Sequence, residues 1–182
     1  MKGGVFLDRD GVIIENRENY VREWKEVSFI PGALEALHSL AELEIPVVIV
    51  TNQACIGRGI VPQKRVREIQ NRIVEEIHAA GGRIARSCLC PHKPEDACNC
   101  RKPKPGMLLQ AALELDIDIN DSWMVGDALT DVEACLSAGA KPILVLTGRG
   151  ANQASENSNE TLTIRTDLKS AVDFILTFPE RL

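Results

Sequence analysis

The 182-residue chain has 45% hydrophobic and 26% charged residues, the balance of a soluble globular protein, and its length suits one domain, residues 1–182, needing no disulfide staples. Lys and Arg number 21 against 26 Asp and Glu, for a net charge of −5, and aromatics make up only 4%. Neither a phosphate-backbone binder nor a base-stacking platform fits that composition, and the purest apolar run, Ile45 to Val50, is far short of a membrane span.

The N-terminal Met1-Lys2-Gly3-Gly4 enters a strand-like run at once and reads as leaving no room for a signal peptide, so a cytosolic location is expected. Val5-Phe6-Leu7 reads as the first strand. Pro31-Gly32 opens a helix to about Glu42, with Leu34, Leu37, Leu40 and Ala41 on one face. Pro46 to Val50 is a second strand of β-branched residues. Pro62 starts a long helix that places Val66, Ile69, Ile73, Val74 and Ile77 at helical spacing and stops at Gly81-Gly82. Ile84 to Leu89 is a third strand, and a helix from Pro105-Gly106 carries Leu108, Leu109, Ala112, Leu113 and Leu115. Trp123 to Val125 is a fourth strand, Leu129 to Ala138 a helix and Ile143 to Leu146 a fifth strand. Beyond Gly150 the tail, with Asn152, Gln153, Asn157 and Asn159, begins as a loop, followed by a strand near Leu162 to Ile164 and a helix from Asp167 to about Leu176. The segment Glu15 to Ile30 has no clear period, and an irregular stretch that long implies a task or small structure of its own. Short apolar strands alternating with amphipathic helices predict an α/β fold with a Rossmann-like parallel sheet and helices on both faces.

Polar residues cluster where these strands end. Strand one runs into Asp8-Arg9-Asp10-Gly11, strand two into Thr51-Asn52-Gln53 and strand four into Gly126-Asp127; strand three leads to a loop ending in Arg101-Lys102. A parallel sheet collects its strand C-termini along one edge, where ligands bind. Singly these residues also read blandly: Asp8-x-Asp10-Gly11 as a turn, Asp127 as a helix cap, Lys102 as a solvated charge. A calcium loop is disfavoured because Val12 stands at the next ligand position. Together they suit phosphoryl transfer. Asp8 can be a carboxylate nucleophile and Asp10 a general acid and base. Asp8, Asp127 and a backbone carbonyl offer oxygen ligands to Mg²⁺, while Lys102 and Thr51 can contact phosphoryl oxygens.

Of six cysteines, Cys90, Cys98 and Cys100 crowd one loop with His92. Three thiolates and an imidazole offer a tetrahedral Zn²⁺ set, against the blander reading of three buried or free thiols, and a full complement of protein ligands would make the zinc structural. The zinc loop spans about residues 88–104. Arg101 and Lys102 follow its last ligand directly, so removing zinc is expected to disorder Lys102. Cys55, Cys88 and Cys135 lack that context, and no G-x-S-x-G or Walker A sequence is present.

Asp8-Arg9-Asp10-Gly11, Thr51-Asn52-Gln53, Arg101-Lys102-Pro103 and Gly126-Asp127-Ala128-Leu129-Thr130-Asp131 resemble the four motifs of the haloacid dehalogenase superfamily of phosphatases. The Cys-x-His…Cys-x-Cys-Arg-Lys-Pro loop resembles its zinc-containing branch of D-glycero-D-manno-heptose 1,7-bisphosphate 7-phosphatases and histidinol-phosphate phosphatases. The resemblance implies a haloacid dehalogenase-like fold without a large cap domain. It implies that Asp8 is nucleophile, Asp10 general acid/base, and Asp8, the Asp10 carbonyl and Asp127 the Mg²⁺ ligands. It further implies that Thr51 and Lys102 steady the phosphoryl group. Arg101, the stretch Asn52, Gln53 and Ala54, and the loop Asn16, Arg17, Glu18, Asn19 and Tyr20 would then bind substrate. Ala128 departs from the pattern, where Lys or Arg commonly follows Gly-Asp. Pro105-Gly106-Met107-Leu108, Thr147-Gly148 and Ile56-Gly57-Arg58-Gly59 resemble the heptose enzymes, whereas the short gap from His92 to Cys98 is closer to the histidinol-phosphate type. The favoured expectation is a monomeric Mg²⁺-dependent phosphatase acting on a small phosphorylated sugar, the 7-phosphate of heptose 1,7-bisphosphate, through an aspartyl-phosphate. Histidinol-phosphate phosphatase is the alternative, and a non-catalytic zinc-stabilised binding module the reading from another class.

Overall fold

The computed structural model describes residues 2–43, 45–156 and 162–178. Six parallel strands stand in the order β3-β2-β1-β4-β5-β6: β1 Val5–Leu7, β2 Val47–Asn52, β3 Arg86–Cys90, β4 Trp123–Gly126, β5 Lys141–Val145 and β6 Thr163–Arg165. Val5 pairs with Val47 on one side and Trp123 on the other, so β1 is central and its C-terminal Asp8 opens onto the middle of the sheet edge.

Alternation along the strands builds two cores. Val5, Leu7, Val47, Ile49, Val125 and Ile143 face one side, where α1 (Ala33–Ala41), α3 (Gln63–Ala79) and α7 (Leu168–Ile175) cover them. Phe6, Val48, Val50 and Met124 face the other, under α4 (Gly106–Leu115) and α5 (Leu129–Ala138). Both faces are covered, as an all-parallel sheet requires, and each crossover carries a helix.

The expected elements recur with shifted ends. β2 extends through Thr51-Asn52, which pair with Leu89 and Cys90, so the second motif is ladder rather than turn. β3 starts at Arg86 and ends on Cys90, two residues later at the start and one at the end than its apolar residues suggest. Between β2 and α3 lies a short helix, α2 (Ala54–Gly57), which the sequence pattern does not reveal. The loop expected after Gly150 is instead a helix, α6 (Gly150–Glu156). Its Gly150 N–H donates to the Thr147 carbonyl, and Gln153 Oε1 accepts from the Leu129 amide at 3.1 Å, tertiary anchorage that local propensity omits. Asn157 and Asn159 of that expected loop lie outside the described residues.

The segment Glu15 to Ile30 is largely irregular, with one 3₁₀ turn at Trp24–Glu26. It is tethered at both ends: Glu15 N–H donates to the Ser28 carbonyl and Ile30 N–H to that of Ile13. This arm overhangs the sheet edge where β1 ends. No helix among the described residues is long and apolar enough to cross a membrane.

Candidate active site

A cavity of about 610 Å³ opens at the C-terminal edge of the sheet. Its floor is the end of β1. Asp8 is 5% exposed, and its Oδ1 accepts from the Arg9 backbone N–H at 2.8 Å and pairs with Lys102 Nζ at 2.9 Å. Lys102, itself buried, also reaches Asp131 Oδ1 at 2.8 Å and donates to the Val50 carbonyl at 2.8 Å. One ammonium therefore ties the ends of β1 and β2 and the first turn of α5 together.

The electrostatics follow from burial. Burial raises the Asp8 carboxyl to about 6; Lys102 pulls it down, and Asp131 and Asp10 push it up. Burial alone would lower the Lys102 ammonium, but Asp131 and Asp8 outweigh it and hold it above an ordinary lysine. Asp127, wholly buried, is also raised, first by burial and then by Asp8, against the opposing pull of Arg149. Asp8, Asp127 and Asp131 bring carboxylate oxygens within 4.8 Å of one another. Asp131 is committed to Lys102 and to the Ala128 amide, at 3.2 Å. Asp8, though paired with Lys102, and Asp127 are buried carboxylates, and Asp8 disfavours the charge on Asp127, so the two form a donor pair suited to a hard divalent cation.

Space around Asp127 is kept by glycines. A Cβ on Gly11 (φ +84°) or Gly148 (φ +58°) would lie 2.2 or 2.3 Å from Asp127 Oδ2. Both backbones also adopt the left-handed conformation that favours glycine.

Asp10 sits two residues beyond Asp8, partly exposed to the cavity. Its Oδ2 accepts from Gln53 Nε2 at 2.9 Å and, more weakly, from Thr51 Oγ1 at 3.4 Å. Gln53 Nε2 also donates to Thr51 Oγ1 at 2.8 Å, so the second motif gathers on the acid of the first. Asn52 has a different task. Its Nδ2 donates to the Lys102 carbonyl at 3.0 Å while its Oδ1 accepts from the Lys102 N–H at 3.2 Å, clamping that residue's backbone from β2.

Behind Lys102 lies the cysteine cluster. Cys100 Sγ is 3.3 Å from Cys90 Sγ, 3.4 Å from Cys98 Sγ and 3.3 Å from His92 Nδ1, with Cys90 to Cys98 at 3.7 Å. A tetrahedron of Zn–S bonds near 2.3 Å has edges of about 3.8 Å, so the donor set and its spacing fit Zn²⁺ with each corner filled. The cluster is joined to the cavity: His92 O accepts from Arg101 Nη1 at 3.2 Å, and Gln53 N–H donates to the Cys90 carbonyl at 2.8 Å. Lys102, however, has anchors besides this loop, in Asn52, Val50 and its two carboxylates.

The arm contributes unevenly. Asn16 Nδ2 donates to Asp127 Oδ2 at 3.3 Å, Arg17, Glu18 and Tyr20 line the cavity, and Asn19 lines only a second, smaller hollow beside it. Ala54 lines the cavity beside Gln53. Two cations were not singled out from sequence. Arg58, after α2, donates to Tyr20 Oη at 2.9 Å and joins the arm to α2. Arg149, after β5, donates its backbone N–H to Asp127 Oδ2 at 2.9 Å and brings Nη2 within 3.3 Å of Oδ1. In sequence, Ile56-Gly57-Arg58-Gly59 contains the first and Thr147-Gly148 directly precedes the second.

Comparison with known proteins agrees with this geometry. A HAD-hydrolase-like family model matches residues 99–171. The D-glycero-beta-D-manno-heptose-1,7-bisphosphate 7-phosphatase of Pseudomonas putida is 38% identical over 164 residues, covering 90% of this chain and 94% of that protein. Its namesake from Neisseria meningitidis serogroup A is 36% identical over 156 residues, 86% of this chain and 83% of that one. The crystal structure of D,D-heptose 1,7-bisphosphate phosphatase from B. bronchiseptica, complexed with magnesium and phosphate, superposes with a TM-score of 0.91 at 33% identity, covering 97% of this chain and 99% of that one. With the fold, the strand-end carboxylates and the relatives in agreement, the chain belongs to the haloacid dehalogenase-like hydrolases, in the family of the D-glycero-β-D-manno-heptose-1,7-bisphosphate 7-phosphatases.

Proposed function

We propose that this chain, as a single-domain monomer, removes the 7-phosphate of D-glycero-β-D-manno-heptose 1,7-bisphosphate through an aspartyl-phosphate on Asp8. The observation that carries the reading is the Lys102 ammonium 2.9 Å from Asp8, with Asp10 two residues on, at the cavity floor. An Asp8 carboxylate oxygen attacks phosphorus and the bond to the sugar oxygen breaks. Asp10 protonates that oxygen as it leaves, which frees the alcohol. Asp10 then takes a proton from water as the water attacks the acyl-phosphate. Phosphate departs and the Asp8 carboxylate is restored. Lys102, fixed between Asp8 and Asp131, holds positive charge where the phosphoryl oxygens gather, and Thr51 donates a hydrogen bond to them. Asp8, Asp127 and the Asp10 carbonyl would hold Mg²⁺, which supplies further neutralisation of phosphoryl charge.

The wall of the cavity supports a bisphosphate over histidinol phosphate. Arg17, Arg58, Arg101 and Arg149 all line it, against one acid of the arm, Glu18. Such a wall suits a second phosphate and disfavours an ammonium and an imidazolium. The four-ligand cluster behind Arg101 supports structural zinc that fixes one of those cations.

The test is phosphate release with Mg²⁺ from both anomers of heptose 1,7-bisphosphate and from histidinol phosphate, with Asp8→Asn as control. Preference for the β-heptose, abolished in the variant, is expected. Preference for histidinol phosphate would refute the substrate, and full turnover by Asp8→Asn would refute the nucleophile.

A further inference from the structure

Arg9 stands between the two motif aspartates and is 1% exposed, a fully buried guanidinium at the edge of the site. In an aspartyl-phosphate mechanism its guanidinium neither forms nor breaks a bond and carries no proton to or from substrate, yet burying a guanidinium is costly unless it is paired. Its partner is Asp10: Nε donates to Oδ2 at 3.0 Å, while Nη2 lies 2.9 Å from Oδ2 and donates to Oδ1 at 3.0 Å. On its far side Nη1 donates to Oε1 of Gln70 at 3.2 Å, and Gln70 is itself buried, on the inner face of α3. A line of contacts thus runs from α3 through Gln70 and Arg9 to Asp10.

The two oxygens of Asp10 are served unequally. Oδ2 is crowded by Arg9 Nε and Nη2, Gln53 Nε2 and Thr51 Oγ1. Among the described residues, Oδ1 meets Arg9 Nη2 alone. A carboxylate oxygen already accepting several hydrogen bonds has no lone pair left to carry a proton, whereas Oδ1 keeps one. We infer that Arg9, backed by Gln70, is a positioning residue for the phosphatase reaction, fixing Asp10 so that Oδ1 is the oxygen that gives its proton to the leaving alcohol and takes one from water. The inference rests on Asp10 being the acid and base of the proposed function.

Gln70→Leu is the cleanest perturbation. It removes the acceptor behind Arg9, and it also removes Gln70 Nε2, a buried donor with no hydrogen-bond partner among the described residues, so the effects on stability partly offset. Gln70→Glu keeps the acceptor and is the conservative control. The readout is the single-turnover rate of alcohol release from two substrates: the heptose bisphosphate, whose alkoxide must be protonated, and p-nitrophenyl phosphate, whose leaving group needs no acid. A merely structural change slows both alike. Misaligning the acid slows the sugar substrate selectively, and a displacement of an ångström or so is worth up to about 100-fold.

The expected result is a fall of about 10–100-fold in the ratio of sugar to aryl rates in Gln70→Leu, with the ratio kept in Gln70→Glu and melting temperatures near wild type. An unchanged ratio in Gln70→Leu, or equal losses on both substrates, overturns the positioning role. Asp10→Asn measured alongside separates the two failures. If it collapses the ratio while Gln70→Leu does not, only the inference falls; if it leaves the ratio intact, the acid assignment falls too.

Discussion

Replacing Lys102 by Met is the most direct probe of how the site is held together. The ammonium is 3% exposed and lies 2.9 Å from Asp8 Oδ1, 2.8 Å from Asp131 Oδ1 and 2.8 Å from the Val50 carbonyl. Methionine matches the length of the chain but leaves two carboxylates facing each other without a cation. Their oxygens lie within 4.8 Å, so mutual repulsion at an effective dielectric of 20 is at least about 3.5 kcal/mol. Breaking buried pairs elsewhere costs about 3–5 kcal/mol, which agrees. We therefore expect Lys102→Met to lose about 3–5 kcal/mol of stability, and Lys102→Met with Asp131→Asn to recover about half, because one of the two facing charges is gone. Urea unfolding followed by Trp24 and Trp123 fluorescence, with zinc retained and Mg²⁺ omitted, measures both. A loss below about 1 kcal/mol, or a double variant no more stable than the single, would show that Lys102 is not the electrostatic keystone of the fold's edge.

Three other outcomes follow from the same geometry. Stripping zinc, or Cys98→Ser, should raise KM more than it lowers kcat, since Arg101 is tied to His92 while Lys102 keeps its clamp on Asn52; a kcat collapse with KM unchanged would reverse that assignment. Gly148→Ala places a Cβ 2.3 Å from Asp127 Oδ2 at φ +58°, so a loss of about 1–3 kcal/mol in thermal unfolding and at least tenfold weaker Mg²⁺ binding by calorimetry are expected. Burial pushes the Cys135 thiol up to about 12, so at pH 8 it stays protonated and should resist iodoacetamide in the native protein and react once unfolded; native alkylation, located by mass spectrometry, would contradict the packing.

Some of this architecture was written in local chemistry. Alternating Val, Ile and Leu between amphipathic helices marks a parallel α/β fold, because strands buried on both faces must be apolar throughout. Parallel strands put their C-termini on one edge, so Asp8, Thr51, Lys102 and Asp127 could be brought together on paper. The ligand spacing of Cys90, His92, Cys98 and Cys100 is likewise a local property, and the structure draws their donor atoms to within 3.3–3.7 Å for the contacts among them.

Other features depend on partners remote in the chain. Arg9 has no assigned role in the sequence beyond its place in the first motif, and in the fold it is buried with Gln70 and Asp10 meeting it from either side. Asn52 belongs to a motif associated with substrate, yet its amide grips the backbone of Lys102, 50 residues away. Gly150 to Glu156 has the composition of a loop and is a helix because Gln153 and the turn before it are anchored elsewhere. Arg58 and Arg149 enter the cavity from loops whose course no periodicity describes. The fold class, the strand-end acids and the metal-ligand set are legible without coordinates, since each follows from short-range pattern. The partners those acids share and the cations that line the cavity emerge only on packing, because hydrogen-bond partners and burial are properties of the folded chain.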